Sequence, residues 1–137
     1  KLQLMENHYH YLLMENLSLE GTAKTPTVDF KSAGELLIKG RSIPENSIEF
    51  YKPLIDWIAA YSDNPKENRL VNIQLEYFNT SSSKCILDVF KKLESIGDST
   101  VSVKWYYEED DEDMLEAGED YEAIIDLSFE MIEVEEL

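Results

Sequence analysis

The chain has 137 residues, a length that suits one domain rather than two. With 43% hydrophobic and 11% aromatic residues it can bury a core, which argues against disorder of the whole chain. Twelve basic and 29 acidic side chains give 12 − 29 = −17, which argues against nucleic acid and against anionic membrane surfaces as partners.

Residues 1–24 read as an N-terminal extension of irregular apolar character. It holds both histidines, His8 and His10. On a strand they would share one face and could grip a metal, but an exposed tail is the simpler reading, and no metal site is expected. Residues 25–137 read as a single domain. Thr27-Val28-Asp29-Phe30 is a short strand, Ala33-Gly34 a turn, and Glu35 to Gly40 a second strand, so the two form a hairpin. Asn46-Ser47-Ile48-Glu49 resembles a capping box and opens a helix predicted over Ser47 to Tyr61. Its apolar positions Tyr51, Leu54, Ile55 and Ile58 recur at helical spacing. Asp63-Asn64-Pro65 is expected to end it.

Arg69 to Phe78 alternates, with Val71, Ile73, Leu75 and Tyr77 on one apolar face. Asn79-Thr80-Ser81-Ser82-Ser83 is a hydroxyl-rich corner. A second helix is predicted over Ser82 to Ile96, closed by Gly97-Asp98. Val101, Val103, Trp105 and Tyr107 alternate in the next strand. Glu109 to Ala123 reads as an acidic helix weakened by Gly118. Asp126 to Val134 is a final strand, with Leu127, Phe129 and Met131 on one face. Single helices between strands imply right-handed parallel crossovers. The charge is uneven along this order. Residues up to Lys104 hold 14 acidic and 12 basic side chains, net −2; the remainder holds 15 acidic and no Lys or Arg, net −15. Acidic surfaces favour basic partners.

The catalytic inventory is thin. No glycine-rich phosphate loop or zinc-ligand spacing is present, so no cofactor is expected. The run from Glu108 to Asp113 lacks the glycine and spaced carboxylates of a calcium loop, and reads as a solvated helix start. A small metal-dependent enzyme using this run is the alternative from another class. Cys85 lies on an apolar helix face as a small hydrophobe, and one cysteine cannot close an internal disulfide. No apolar run is long enough to span a membrane, and the start lacks the apolar core of a signal peptide. A cytoplasmic location is expected.

The corner Asn79-Thr80-Ser81-Ser82-Ser83-Lys84 joins the C-terminal end of a strand to a helix N-terminus, where open α/β sheets form sites. One hydroxyl serves as N-cap; four consecutive hydroxyls exceed that need. A phosphate here would meet free backbone N–H groups and the positive end of the helix dipole, with Lys84 helping to neutralise it. The corner therefore reads as a phosphorylation switch.

Gly40-Arg41-Ser42-Ile43-Pro44-Glu45-Asn46, followed by Phe50, Pro53 and Trp57, resembles the SiaC family of bacterial regulatory phosphoproteins. So do Leu75-Glu76-Tyr77-Phe78-Asn79-Thr80-Ser81-Ser82 and Val103-Lys104-Trp105-Tyr106-Tyr107. Thr25-Pro26 and the Asp113-Met114…Gly118 segment also fit, so the resemblance spans about Thr25 to Val134. It implies a STAS-like α/β fold: a mixed, mostly parallel sheet with an N-terminal hairpin and about three helices. It places the phosphoacceptor on Thr80, with Ser81 as runner-up, and it implies a Ser/Thr kinase and a metal-dependent phosphatase as partners. The unmodified, non-enzymatic protein would bind and control a target such as a diguanylate cyclase that makes cyclic-di-GMP. The second helix would be the docking face. The related alternative is an anti-sigma-factor antagonist acting on transcription.

Overall fold

The computed structural model describes residues 15–61, 68–96 and 100–137. His8, His10, the Asp63-Asn64-Pro65 stop and the Gly97-Asp98 closure lie outside them. Six strands form one sheet in sequence order. They are β1 (Leu17–Leu19), β2 (Thr27–Phe30), β3 (Glu35–Ser42), β4 (Asn68–Phe78), β5 (Thr100–Glu108) and β6 (Ser128–Val134). The three helices are α1 (Ser47–Tyr61), α2 (Thr80–Glu94) and α3 (Glu112–Ile124). The first two strand pairs are antiparallel and the last three are parallel. Each parallel pair is crossed by one helix. Right-handed crossovers between sequential neighbours put all three helices on the same face.

That face holds the core. Val71, Ile73 and Leu75 of β4 and Val101, Val103 and Trp105 of β5 are buried at alternate positions. Leu54 and Ile58 of α1 and Ile86, Val89 and Phe90 of α2 close over them. Cys85 is buried here as a free thiol. Trp57 stacks on Tyr61 at 4.6 Å, and its indole N–H donates to the Glu15 carbonyl across 2.9 Å. No helix among the described residues is long and apolar enough to cross a membrane.

Four local expectations need correction. Tyr77 is not on the apolar face: it is 49% exposed. The β3–β4 register slips between Gly40 and Arg41, so Gly40 faces Leu75 while Arg41 faces Tyr77. The extra residue is a bulge that reverses the alternation. The Arg41 guanidinium then lies 5.6 Å from the Tyr77 ring centroid. Second, α2 begins at Thr80, not Ser82, because Asn79 rather than a hydroxyl is its N-cap. Third, α2 ends at Glu94: Ser95 caps it by donating its N–H to the Lys91 and Lys92 carbonyls. Fourth, α3 starts at Glu112, because the Asp111 side chain accepts the Met114 N–H at 3.0 Å and fixes the first turn there.

Candidate functional site

The parallel strands β3 and β4 end together and deliver two helix N-termini side by side. Asn46 caps α1, its Oδ1 accepting the Glu49 N–H at 3.0 Å. The Glu49 carboxylate makes no return bond among the described residues, so only half of the capping box forms. Asn79 caps α2, accepting the Ser82 N–H at 2.9 Å. Its own N–H donates to the Ser42 carbonyl at 3.0 Å, which pins the corner to the end of β3.

Beneath the corner lies a buried hydroxyl network. Ser82 is fully buried and its Oγ donates to the Ser42 carbonyl at 3.0 Å. The Ser42 hydroxyl donates to Ser82 Oγ at 2.8 Å and lies 2.7 Å from the Tyr51 hydroxyl, which therefore donates to it. Burial pushes the Tyr51 phenol up to about 12, with the Ser42 bond opposing part of that rise. The Ser47 and Ser81 hydroxyls meet at 2.7 Å and tie the first turns of α1 and α2 together. From the other side, the Tyr121 hydroxyl of α3 donates to the Ser83 carbonyl at 2.8 Å.

The four consecutive hydroxyls thus have different environments. Ser82 is buried in the network. Ser83 is half-buried and donates to the Thr80 carbonyl at 2.6 Å. Ser81 is exposed but engaged, its hydroxyl meeting Ser47 and donating to Asn79 Oδ1 at 3.2 Å. Thr80 is exposed, and its hydroxyl has no hydrogen-bond partner among the described residues. The N–H groups of Thr80 and Ser81 have no acceptor there either, as the first donors of a helix. Lys84, one turn along α2, is exposed with no carboxylate within salt-bridge distance among the described residues.

Sequence reasoning missed Ser42, Ser47 and Tyr51 as parts of this site. A signal existed for Ser42. Leu36, Ile38, Gly40 and Ser42 share one face of β3 at period two, so a serine stands in core register. Ser82 likewise stands three and four residues before the buried Cys85 and Ile86. A hydroxyl on a core face needs a partner. The acidic run at Glu108 to Asp113 supplies the α3 cap and first turn, and no group of three or more His, Cys, Asp or Glu converges on a metal position among the described residues.

The fold and its corner define a small mixed α/β domain built around a hydroxyl-rich strand-to-helix junction. The chain belongs to the SiaC family of regulatory phosphoproteins, whose family model matches residues 19–134. A curated relative from Pseudomonas aeruginosa strain UCBPP-PA14 is 34% identical over 111 residues, covering 79% of this chain and 88% of the relative. Among solved structures, SiaC of P. aeruginosa, the activator in a complex with the diguanylate cyclase SiaD, matches with TM-score 0.80 at 30% identity. That match covers 86% of this chain and 99% of the other. Apo-SiaC from the same organism matches with TM-score 0.78 at 30% identity, over 86% and 98% of the two chains.

Proposed function

We propose that this chain is a non-enzymatic phosphoswitch regulator whose phosphoacceptor is Thr80. The observation that carries the assignment is the contrast along the corner. Thr80 alone of the four hydroxyls is both exposed and unbonded among the described residues, so a kinase can reach it without breaking structure. Ser81, the runner-up, would have to give up its bonds to Ser47 and Asn79. A phosphate on Thr80 would sit at a helix N-terminus beside the free Thr80 and Ser81 N–H groups, with Lys84 one turn away. Ser82 and Asn79 hold that geometry in place.

In this reading a Ser/Thr kinase adds the phosphate and a metal-dependent phosphatase removes it. The unmodified form binds and controls a diguanylate cyclase, as the SiaC–SiaD complex of P. aeruginosa suggests by its 30% identical activator. The free Cys85 thiol suits a reducing cytoplasm.

Incubation with the cognate kinase, followed by mass mapping, tests the acceptor. Modification is expected at Thr80 and lost in Thr80→Ala; a Thr80→Ala chain that is still fully phosphorylated would sink the assignment. Thr80→Asp should weaken cyclase binding while Thr80→Ala preserves it. Equal affinity of the two variants would remove charge as the mechanism.

A further inference from the structure

α1 packs against α2 on one flank. Its other flank faces β1. Glu49, Phe50, Pro53 and Trp57 recur at helical spacing and form that flank, beside the buried stripe of Tyr51, Leu54 and Ile58. Trp57 closes one end of it through the bond to the Glu15 carbonyl. Toward the N-terminus of α1 the flank opens into a groove of about 550 Å³, within the size range of ligand sites. Leu19 of β1 forms its apolar floor with Phe50 and Pro53 of α1. Three exposed carboxylates, Glu20, Glu45 and Glu49, stand at its rim. No residue of α2 or α3 lines it.

Two features of the groove serve no evident purpose in the fold. Pro53 lies inside a 15-residue helix with its ring exposed. It has no N–H, so the Glu49 carbonyl loses its usual donor four residues on, and the helix is weaker than it would be with alanine. An apolar ring and a spare acceptor are thus presented together at the groove. The rim, in turn, already draws a cation. Lys24 Nζ lies 3.7 Å from Glu45 Oε1, with both side chains largely exposed, so this pair is weak and exchangeable. Glu20 and Glu49 have no ion-pair partner among the described residues. The helix dipole favours acid in the first turn, which accounts for Glu49 but not for Glu20 beyond the end of β1.

We propose that this groove binds a short basic segment of a partner protein, an arginine over the Glu45 and Glu49 carboxylates and an adjacent leucine-sized side chain on Leu19, Phe50 and Pro53. Charge complementarity names the occupant: three carboxylates face one lysine. A second copy of this chain, at −17, is a poor fit for such a rim. Arginine suits it better than lysine, because its planar fork can bridge two carboxylates, or a carboxylate and the Glu49 carbonyl, and can stack on an aromatic face. The Phe50 ring is half-buried and held edge-on to Tyr51 at 5.1 Å, so that face is positioned in advance. From Glu49 to Pro53 the helix rises roughly 6 Å, about two residues of extended chain. One charged and one apolar residue in succession therefore fill the site. The inference stands independently of the phosphoswitch reading, since neither Thr80 nor its helix lines the groove.

The probe is a fluorescein-labelled peptide of about ten residues with a single Arg-Leu pair in a Gly/Ser background. Glu-Leu and Arg-Gly versions are its controls. Each is titrated into the full chain by anisotropy, and the site is mapped by amide NMR shifts. The Arg-Leu peptide is expected to saturate below about 1 mM, with shifts centred on Leu19, Glu49 and Phe50. The Arg-Gly peptide should bind about tenfold more weakly and the Glu-Leu peptide not at all. Replacing both exposed carboxylates, Glu45→Gln with Glu49→Gln, should weaken binding by about tenfold. Pro53→Ala returns a donor to the Glu49 carbonyl and removes the ring, so it should raise Tm while weakening binding by about threefold. Equal binding of the Arg-Leu peptide and either control would overturn the inference, as would unchanged affinity in both sets of variants. Shifts centred on acidic α3 would reduce the binding to general attraction by a negative chain, and self-association of the chain that is lost in Glu45→Gln with Glu49→Gln would assign the groove to a second copy; either result overturns it too.

Discussion

Gly118→Ala is a substitution on which two physical effects disagree in sign. In an exposed helix interior, replacing glycine by alanine stabilises by about 1 kcal/mol through backbone entropy. Gly118 is buried in α3, directly over Trp105. A Cβ there would lie 2.5 Å from Trp105 Cδ1 and 2.6 Å from Nε1. Ordinary contact begins at 3.4 Å, so 3.4 − 2.5 = 0.9 Å must be found. The indole cannot supply it freely. Trp105 is fully buried, its N–H donates to the Met114 carbonyl at 2.9 Å, and its ring meets Phe78, Phe90 and Tyr121. Overpacking of this kind costs about 1–3 kcal/mol, and loosening the indole bond costs about 1 more. The clash wins, for a net loss of about 1–3 kcal/mol after the propensity gain. For a chain of this size that is a fall in Tm of roughly 4–10 °C. Thermal unfolding by far-UV circular dichroism, with tryptophan emission followed in parallel, reads it directly. An unchanged or higher Tm would show that α3 slides off Trp105 at no cost and would refute the reasoning.

Ser82→Ala removes both bonds that a buried hydroxyl shares with Ser42; chemical denaturation should show a loss of about 1–3 kcal/mol. Asn79→Ala deletes the α2 N-cap and should cost about 0.5–2 kcal/mol by the same assay, whereas Thr80→Ala should stay within about 0.5 kcal/mol because its hydroxyl is exposed and unbonded. At alkaline pH the sign follows from the buried phenols. Burial pushes Tyr51 up to about 12, and burial, with Tyr51 and Asp120 nearby, pushes Tyr121 above its ordinary range. The unfolded chain releases these protons near pH 10, roughly the free phenol value, while the folded chain still holds them. Their contribution is therefore full below about pH 10 and is lost as pH rises through the folded values. Denaturation midpoints should fall from about pH 10 to 12, and Tyr51→Phe should flatten that slope; an equal slope in Tyr51→Phe would remove Tyr51 as its source.

Much of this architecture was legible locally. Period two in Val71, Ile73 and Leu75 and helical spacing in Cys85, Ile86, Val89 and Phe90 encode which side of each element meets the core, and those faces are buried as expected. The hydroxyl corner was visible too, because its residues are consecutive. The readings of Tyr77 and Gly118 changed for one cause, a partner distant in the chain, whereas the helix ends moved because of local caps at Asn79, Ser95 and Asp111. Tyr77 turned outward because the pairing of β4 with β3 slips at Gly40 and Arg41, which no pattern within β4 announces. Gly118 looked like a weakness in α3 until Trp105, 13 residues earlier by 118 − 105, occupied the space of its missing Cβ.

The hydroxyl corner divides in the same way. Sequence by itself determined that four hydroxyls follow an asparagine where a strand meets a helix; that the asparagine, and not a hydroxyl, caps the helix was decided by the structure. Sequence could not rank the four hydroxyls, since all are small and polar and their local spacing is uniform. Tertiary packing ranked them, through bonds from Ser82 to Ser42 and from Ser81 to Ser47 that span 40 and 34 residues. Those bonds consume the hydroxyls that face inward and leave Thr80 exposed in the first turn of α2. Periodicity fixes the direction in which a side chain points; only the assembled sheet and helices decide what it meets there.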